Sequence, residues 1–341
     1  MSNQTSGRID VHHHFLPKFY VEALKQVGLS PPDGMSFIPE WSETKVLAML
    51  DQLGIGTAFL SISSPGVHFG DDDAARSLAR RTNQEAARLT KAHPGRFGFF
   101  AITPLPDVEG ALEEIRYAFD MLEADGVVFQ SNFRGTYLGD DLLIPIYEEL
   151  NKRRAVIFLH PTGSNCQCSA STSTGEHPRD IALGYPVPLI EFIFETTRTI
   201  THMMLSGTLA RYPNLRVIVP HAGAALPVLA GRIERIIKAG APVGKDAPQD
   251  IRVALRALHY DLAGVPVPEA LSVLLQIADP KKLHYGSDYP FTPLQECEQL
   301  LKQLNETPLL SSELREAAMT ANAYSLFSQR LSVSIPRPQH G

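Results

Sequence analysis

Three consecutive histidines sit inside an apolar run, Ile9-Asp10-Val11-His12-His13-His14-Phe15-Leu16. Successive side chains of a strand alternate faces, so His12 and His14 point one way and His13 the other. Two imidazoles about 6.6 Å apart along a strand can converge on one ion, given Zn–N bonds of about 2.0–2.1 Å. A polar N-terminal run or an affinity-tag remnant would also place histidines here, but neither explains the apolar flanks. Three later apolar runs end in similar chemistry: Val156-Ile157-Phe158-Leu159-His160-Pro161, Val217-Ile218-Val219-Pro220-His221-Ala222-Gly223 and Tyr285-Gly286-Ser287-Asp288-Tyr289-Pro290. A lone histidine at a strand end is more often a satisfied structural residue than a ligand. Four such strands point to a shared centre if the fold brings their ends together. The remaining histidines act as a control. His93 precedes a strand, His68, His177 and His202 fall in loops or on helices, and His259 and His284 lie within or at the start of strands, so none is given a role.

The elements that must position these residues are short β-rich runs with helical patterns between them. The runs cover residues 8–14, 56–63, 97–103, 126–131, 155–160, 215–221, 258–263 and 283–288. Between them the 3.6-residue stripe is clearest in Val108, Ala111, Leu112, Ile115, Ala118 and Leu122. A second stripe runs Leu78, Ala79, Thr82, Ala86 and Leu89, and a third, Val46, Leu47, Leu50 and Leu53, stops at Gly54, a natural helix terminator. Strand–helix alternation implies parallel strands joined by crossovers, and eight units is the number that closes a (β/α)8 TIM barrel. An open doubly wound sheet is the alternative, and the lack of a Gly-rich phosphate loop after the first strand weakens its nucleotide-binding form. Active sites of the barrel lie where the strands end. The expected layout is one domain over residues 1–341, with the barrel at about 8–305 and a C-terminal helix and tail at 306–341. Long loops at 28–41 and 161–188 follow strands one and five, on the functional face.

Composition narrows the function classes. A net charge of −6 without a basic cluster argues against nucleic acid as the main partner. No stretch approaches the ~20 apolar residues of a membrane span. The polar start, residues 1–7, holds no signal-like run, and three cysteines make no disulfide framework, so a cytoplasmic protein is expected. Cys166 and Cys168 do not have zinc-knuckle spacing.

The set Asp10-x-His12-x-His14, His160-Pro161, His221-Ala222-Gly223-Ala224 and Gly286-Ser287-Asp288-Tyr289-Pro290-Phe291 resembles the amidohydrolase superfamily over about residues 8–327. Its closest likeness is to the decarboxylases related to aminocarboxymuconate-semialdehyde decarboxylase. Residues 11–17, the Arg96-Phe97-Gly98-Phe99-Phe100 strand and His160-Pro161-Thr162 look most like 6-methylsalicylate decarboxylases. The resemblance implies a metal held by His12, His14, His160 and Asp288, with His221 either supporting those ligands from behind or acting as a catalytic histidine. It also implies that Arg232, eleven residues after His221, grips a substrate carboxylate across a homodimer interface, although an exposed helix arginine would have the same spacing. Strand four ends Gln130-Ser131-Asn132 without a bridging lysine, which points to one metal ion. The first helix carries only Lys45 as a basic residue in 44–51, where the aminocarboxymuconate enzymes carry arginines, so an aromatic monoacid is favoured over a dicarboxylate.

The expected activity is non-oxidative decarboxylation of a phenolic aromatic acid, with Asp288 or His221 as proton donor, Asp288 being favoured and His221 then orienting it or a metal-bound water. A hydrolase of a lactone, ester or amide would use the same ligands, and a non-catalytic binding barrel is the rival of another class. Zn is the first choice for three histidines and an aspartate, with Mn or Co as alternatives. Trp41 and Phe291, with Tyr289, are expected to line the substrate pocket, plain packing being the alternative.

Overall fold

The alternation of apolar strands and amphipathic helices closes into a barrel. The chain is described by a computed structural model over residues 7–164 and 182–331. Its strands are β1 (Arg8–His14), β2 (Ile55–Ser61), β3 (Phe97–Ile102), β4 (Gly126–Gln130), a small hairpin of β5 (Asn132–Phe133) and β6 (Thr136–Tyr137), then β7 (Val156–His160), β8 (Arg216–Val219), β9 (His259–Asp261) and β10 (Leu283–His284). Eight of them form one sheet in the order β1-β2-β3-β4-β7-β8-β9-β10, and its neighbours pair in parallel. The ends of the sheet then meet. Val11 N–H donates to Tyr285 O at 3.0 Å, Asp288 N–H to His12 O at 2.8 Å and His14 N–H to Tyr289 O at 2.8 Å. This is the eight-stranded barrel expected from the sequence.

Helices start where side-chain oxygens meet the free N–H groups of a first turn. Ser42, Asp71 and Asp107 accept from Lys45, Ala74 and Gly110 and so cap the helices Glu43–Gln52, Asp72–Ala92 and Val108–Asp120. The stripe in the last of these buries Ala111, Ile115 and Ala118 against the barrel, with Val108, Leu112 and Leu122 packed at its margin. Inside the barrel an aromatic column runs up to the site. Phe327 lies 4.1 Å from Phe59 and 5.8 Å from Phe100 between ring centres, Phe100 stacks on Phe158 at 5.3 Å, and Phe158 meets the His12 ring at 4.8 Å.

Several boundaries differ from the sequence reading. The sixth barrel strand stops at Val219 and the eighth at His284, so His221 and Asp288 stand on turns beyond the regular ladder. Both adopt left-handed backbone, at φ 54° and 58°, which re-aims their side chains. The β5–β6 hairpin carries no alternating apolar pattern long enough to announce it. A helix, Lys18–Gln26, precedes the 28–41 segment, which contains the short Pro32–Gly34 turn. At the other end, the expected C-terminal helix is Ser312–Glu316 and Asn322–Leu326 joined through a π-helical turn at Ala317–Ala321. Cys166, Cys168, His177 and the tail 332–341 lie outside the described residues. No described helix is long and apolar enough to cross a membrane.

Candidate active site

The inner face at the carboxyl ends of the strands gathers His12, His14, His160 and Asp288. One ligand atom from each lies within 4.8 Å of all the others. His12 Nε2 is 3.1 Å from His14 Nε2, and Asp288 Oδ1 is 3.3 Å from the first and 3.1 Å from the second. Three of the four are buried and Asp288 is partly exposed, so the centre opens to solvent on the carboxylate side.

Each ring is turned by a partner on its other nitrogen. His12 Nδ1 pairs with Asp261 Oδ2 at 2.9 Å, His14 Nδ1 lies 2.9 Å from Ser61 Oγ and 3.3 Å from Ser61 O, and His160 Nδ1 donates to Pro161 O at 2.7 Å. With protons held at Nδ1, all three Nε2 lone pairs face the shared centre. Two such lone pairs meeting at 3.1 Å repel unless a cation or a proton stands between them. The edge of a tetrahedron with bonds of about 2.0–2.1 Å is about 3.3–3.4 Å, the spacing of the His12, His14 and Asp288 atoms, and His160 joins them within 4.8 Å as a fourth donor for a divalent ion. The charge balance agrees. Burial alone would push the His12 imidazole down, but Asp261 and Asp288 carry it up to about 10, so with protein groups alone the required positive charge falls on His12. Burial holds His14 below its usual value and His160 well below it, as neutral ligands require. For Asp288 burial works upward, yet His12, His14 and His221 hold its carboxyl well below the usual carboxylate range.

His221 stands beside this cluster. Its ring centre is 5.1 Å from that of His12, and its Nε2 is 3.7 Å from Asp288 Oδ2. Asp288 thus divides its oxygens, with Oδ1 toward the ligand histidines and Oδ2 toward His221. The His221 N–H donates to Asp261 Oδ1 at 2.9 Å, so Asp261 orients His12 with one oxygen and the His221 backbone with the other. Left-handed backbone at His221, Ala222, Gly223 and Ala224 makes the sharp turn that presents the ring.

Of the other expected site residues, Phe291 comes edge-on to His14 at 5.6 Å, beside the cluster. Trp41 packs against Phe15 at 6.1 Å and lines an outer groove with Phe19 and Arg81. Tyr289 covers His13 behind the site. Arg232 is exposed on the Leu226–Lys238 helix, over a largely apolar groove shared with the Glu191–Leu205 helix. Neither groove has any of the four ligands in its lining. His13 points away from the ligands, as strand alternation requires, and pairs with Asp10 at 2.9 Å. His259, at the start of β9, and His284, in the two-residue β10, pair with each other at 2.9 Å.

Sequence reasoning missed Asp261, Ser61 and Phe192, whose ring lies 5.9 Å from His160. A carboxylate buried in the apolar run Leu258-His259-Tyr260-Asp261-Leu262-Ala263 was the available signal for Asp261. Ser61 and Phe192 carried none beyond their neighbourhood.

Comparison with known proteins bears on the fold and the family. The amidohydrolase family profile matches residues 9–329. The chain is 35% identical over 331 residues to the 6-methylsalicylic acid decarboxylase acuB of Aspergillus aculeatus, covering 94% of this chain and 96% of that one. A crystal structure of an amidohydrolase II superposes with a TM-score of 0.86 at 34% identity, covering 94% of this chain and 99% of that one. The dihydroxybenzoic acid decarboxylase of Polaromonas sp. JS666, solved with manganese and 2-nitroresorcinol, shares the fold at a TM-score of 0.80 and 22% identity, over 99% and 100% of the two chains. The barrel and the family match over residues 9–329 together show that the chain belongs to the amidohydrolase family.

Proposed function

We propose that this chain releases CO2 from a phenolic aromatic acid such as 6-methylsalicylate, using one divalent metal ion held by His12, His14, His160 and Asp288. The observation that carries the reading is the divided Asp288 carboxylate, which serves the ligand cluster through Oδ1 and faces His221 through Oδ2. When bound, the cation supplies Lewis-acid charge that anchors the anionic end of the substrate. Loss of CO2 leaves the electron pair of the broken C–C bond on the ring carbon, which must then take up one proton. We assign the delivery of that proton to Asp288 Oδ2, which is ionised at rest and would relay a proton arriving through His221 Nε2, 3.7 Å away. Phe291 and Phe192 flank His14 and His160 and offer apolar edges to an aromatic ring. Three imidazoles and one carboxylate suit Zn, while the manganese in a similar fold supports Mn as the other choice.

Arg232 completes the reading at the level of a homodimer. The groove beneath it is bordered by exposed Phe194 and Ile236, an apolar face suited to a second copy of the chain. Pairing there would carry Arg232 toward the partner's site. Sedimentation of Ile236→Asp against the parent protein tests this, with a shift from dimer to monomer expected.

The activity itself is tested by following CO2 from 6-methylsalicylate with metal-supplied protein, beside hydrolysis of a lactone panel. Turnover of the acid and not of the lactones is expected. An Asp288→Asn protein that keeps its metal and its full turnover would remove Asp288 as donor.

A further inference from the structure

Strand β4 ends on the amide of Gln130, which is 2% exposed. Gln130 and His160 are register partners on adjacent parallel strands, so their side chains share the inner face of the barrel. Two neighbours hold the amide. Its Nε2 lies 3.5 Å from Ser63 O, and Gly66, at φ 80°, comes so near that a Cβ there would stand 3.3 Å from Gln130 Cγ. A backbone carbonyl can only accept, which directs Nε2 toward Ser63 and leaves Oε1 as a free acceptor. That oxygen is buried and has no hydrogen-bond partner. Ser63 also reaches the site, its Oγ lying 3.4 Å from His160 Nε2. Ser63 thus links the Gln130 side chain to the ligand nitrogen of His160.

A buried amide oxygen without a partner costs about 1–3 kcal/mol, and folded proteins normally supply one. The chemistry of the partner follows from the chemistry of the acid. An ionised carboxylate is acceptor-only and cannot satisfy Oε1. The hydroxyl is the donor that a salicylate-type acid carries. Resting on the decarboxylase reading above, we infer that Gln130 is a specificity-determining residue whose Oε1 accepts a hydrogen bond from the phenolic hydroxyl of the bound acid. Acids without that hydroxyl leave the oxygen unpaired and are disfavoured, since a site built for a polar group rejects the analogue lacking it.

Inert ligands separate this inference from turnover. The Kd values of 2-hydroxybenzenesulfonate and benzenesulfonate, which differ by the hydroxyl and cannot lose CO2, are measured by calorimetry with metal-supplied protein. Gln130→Met is expected to weaken binding of the hydroxylated ligand about tenfold and to change the other less than about twofold. Gln130→Asn, which withdraws the amide by one methylene, should act in the same direction and stands in if Met disturbs the Ser63–Gly66 turn. A hydroxyl preference equal in wild type and in a folded variant overturns the inference, as does a wild type with no preference. The CO2 assay is read separately. Its failure beside a Gln130-dependent preference removes the decarboxylase reading alone, and turnover beside an unchanged preference removes the Gln130 role alone.

Discussion

The Nε2 atoms of His12 and His14 face each other at 3.1 Å, and Asp288 Oδ1 is within 3.3 Å of both. Strand alternation put the two rings on one face, and closure of β1 against the turn after β10 added the carboxylate. Lone pairs so close call for a proton or a cation between them, and the four converging donors could hold a metal ion. Supplying metal at about 100 times its Kd should therefore stabilise the fold by about 2.7 kcal/mol relative to chelated protein. Thermal unfolding with and without chelator checks this, alongside metal analysis expected to return one ion per chain. Equal melting temperatures in the two conditions would argue against the centre.

Asp261 acts on the same cluster from behind. Its Oδ2 fixes the proton on His12 Nδ1, while Oδ1 accepts from the backbone N–H groups of His221 and Ala263. Asp261→Asn keeps the shape but offers an amide N–H or a weaker acceptor to the ring. Metal affinity should fall about 10–100-fold, the range for partners behind a ligand histidine. Competition with a chromophoric chelator measures it, and unchanged affinity would show that packing alone orients His12.

How far the site was legible follows from where each residue stands. His12 and His14 announced themselves because period-two alternation is local and needs no knowledge of the fold. His160 and Asp288 became ligands only once the barrel was inferred, because rim geometry is a property of closure. Asp261 and Gln130 stayed hidden, since a buried aspartate or glutamine at a strand end reads as any polar boundary residue. Their roles appear only with the partners: an imidazole 249 residues away for Asp261, and an unfilled acceptor for Gln130. The exact ends of β8 and β10 were beyond the pattern too, because left-handed turns at His221 and Asp288 follow from tertiary contacts and not from residue type.

Asp33 ties the 28–41 segment to the loops after β2 and β7. It accepts from Ser64 Oγ at 3.0 Å, and Ser64 Oγ also lies 2.7 Å from Thr162 Oγ1. Burial raises its carboxyl to about 6, against the lowering effect of Ser64 and the Gly163 N–H. A raised folded-state pKa means that the folded chain binds the proton more tightly than the unfolded one. This group therefore favours folding fully below about pH 4, loses that contribution between about pH 4 and 6, and adds none above. Asp33→Asn cannot titrate. The melting temperature of wild type minus that of the variant should fall as pH rises from 4 to 7 and then level off. A difference that is flat across the range would place the Asp33 titration elsewhere.

Phe327 closes the other end of the barrel. It enters from beyond the C-terminal helix, is 4% exposed, and lies 4.1 Å from Phe59 and 5.8 Å from Phe100. Those rings face the barrel interior and lead through Phe158 to His12, so the aromatic column supports the metal site from below. Removing the ring leaves a cavity that strand backbones cannot collapse to fill, because the barrel ladder fixes their separation. Phe327→Ala should destabilise the chain by about 3–5 kcal/mol, the usual range for a buried phenylalanine. Phe327→Leu, which keeps most of the volume, should cost less than half as much. Denaturant unfolding of both variants under metal-supplied conditions gives the two values. A loss below about 1 kcal/mol for the alanine variant would mean that Phe327 only covers the barrel floor, since filling it is what a cavity cost reports.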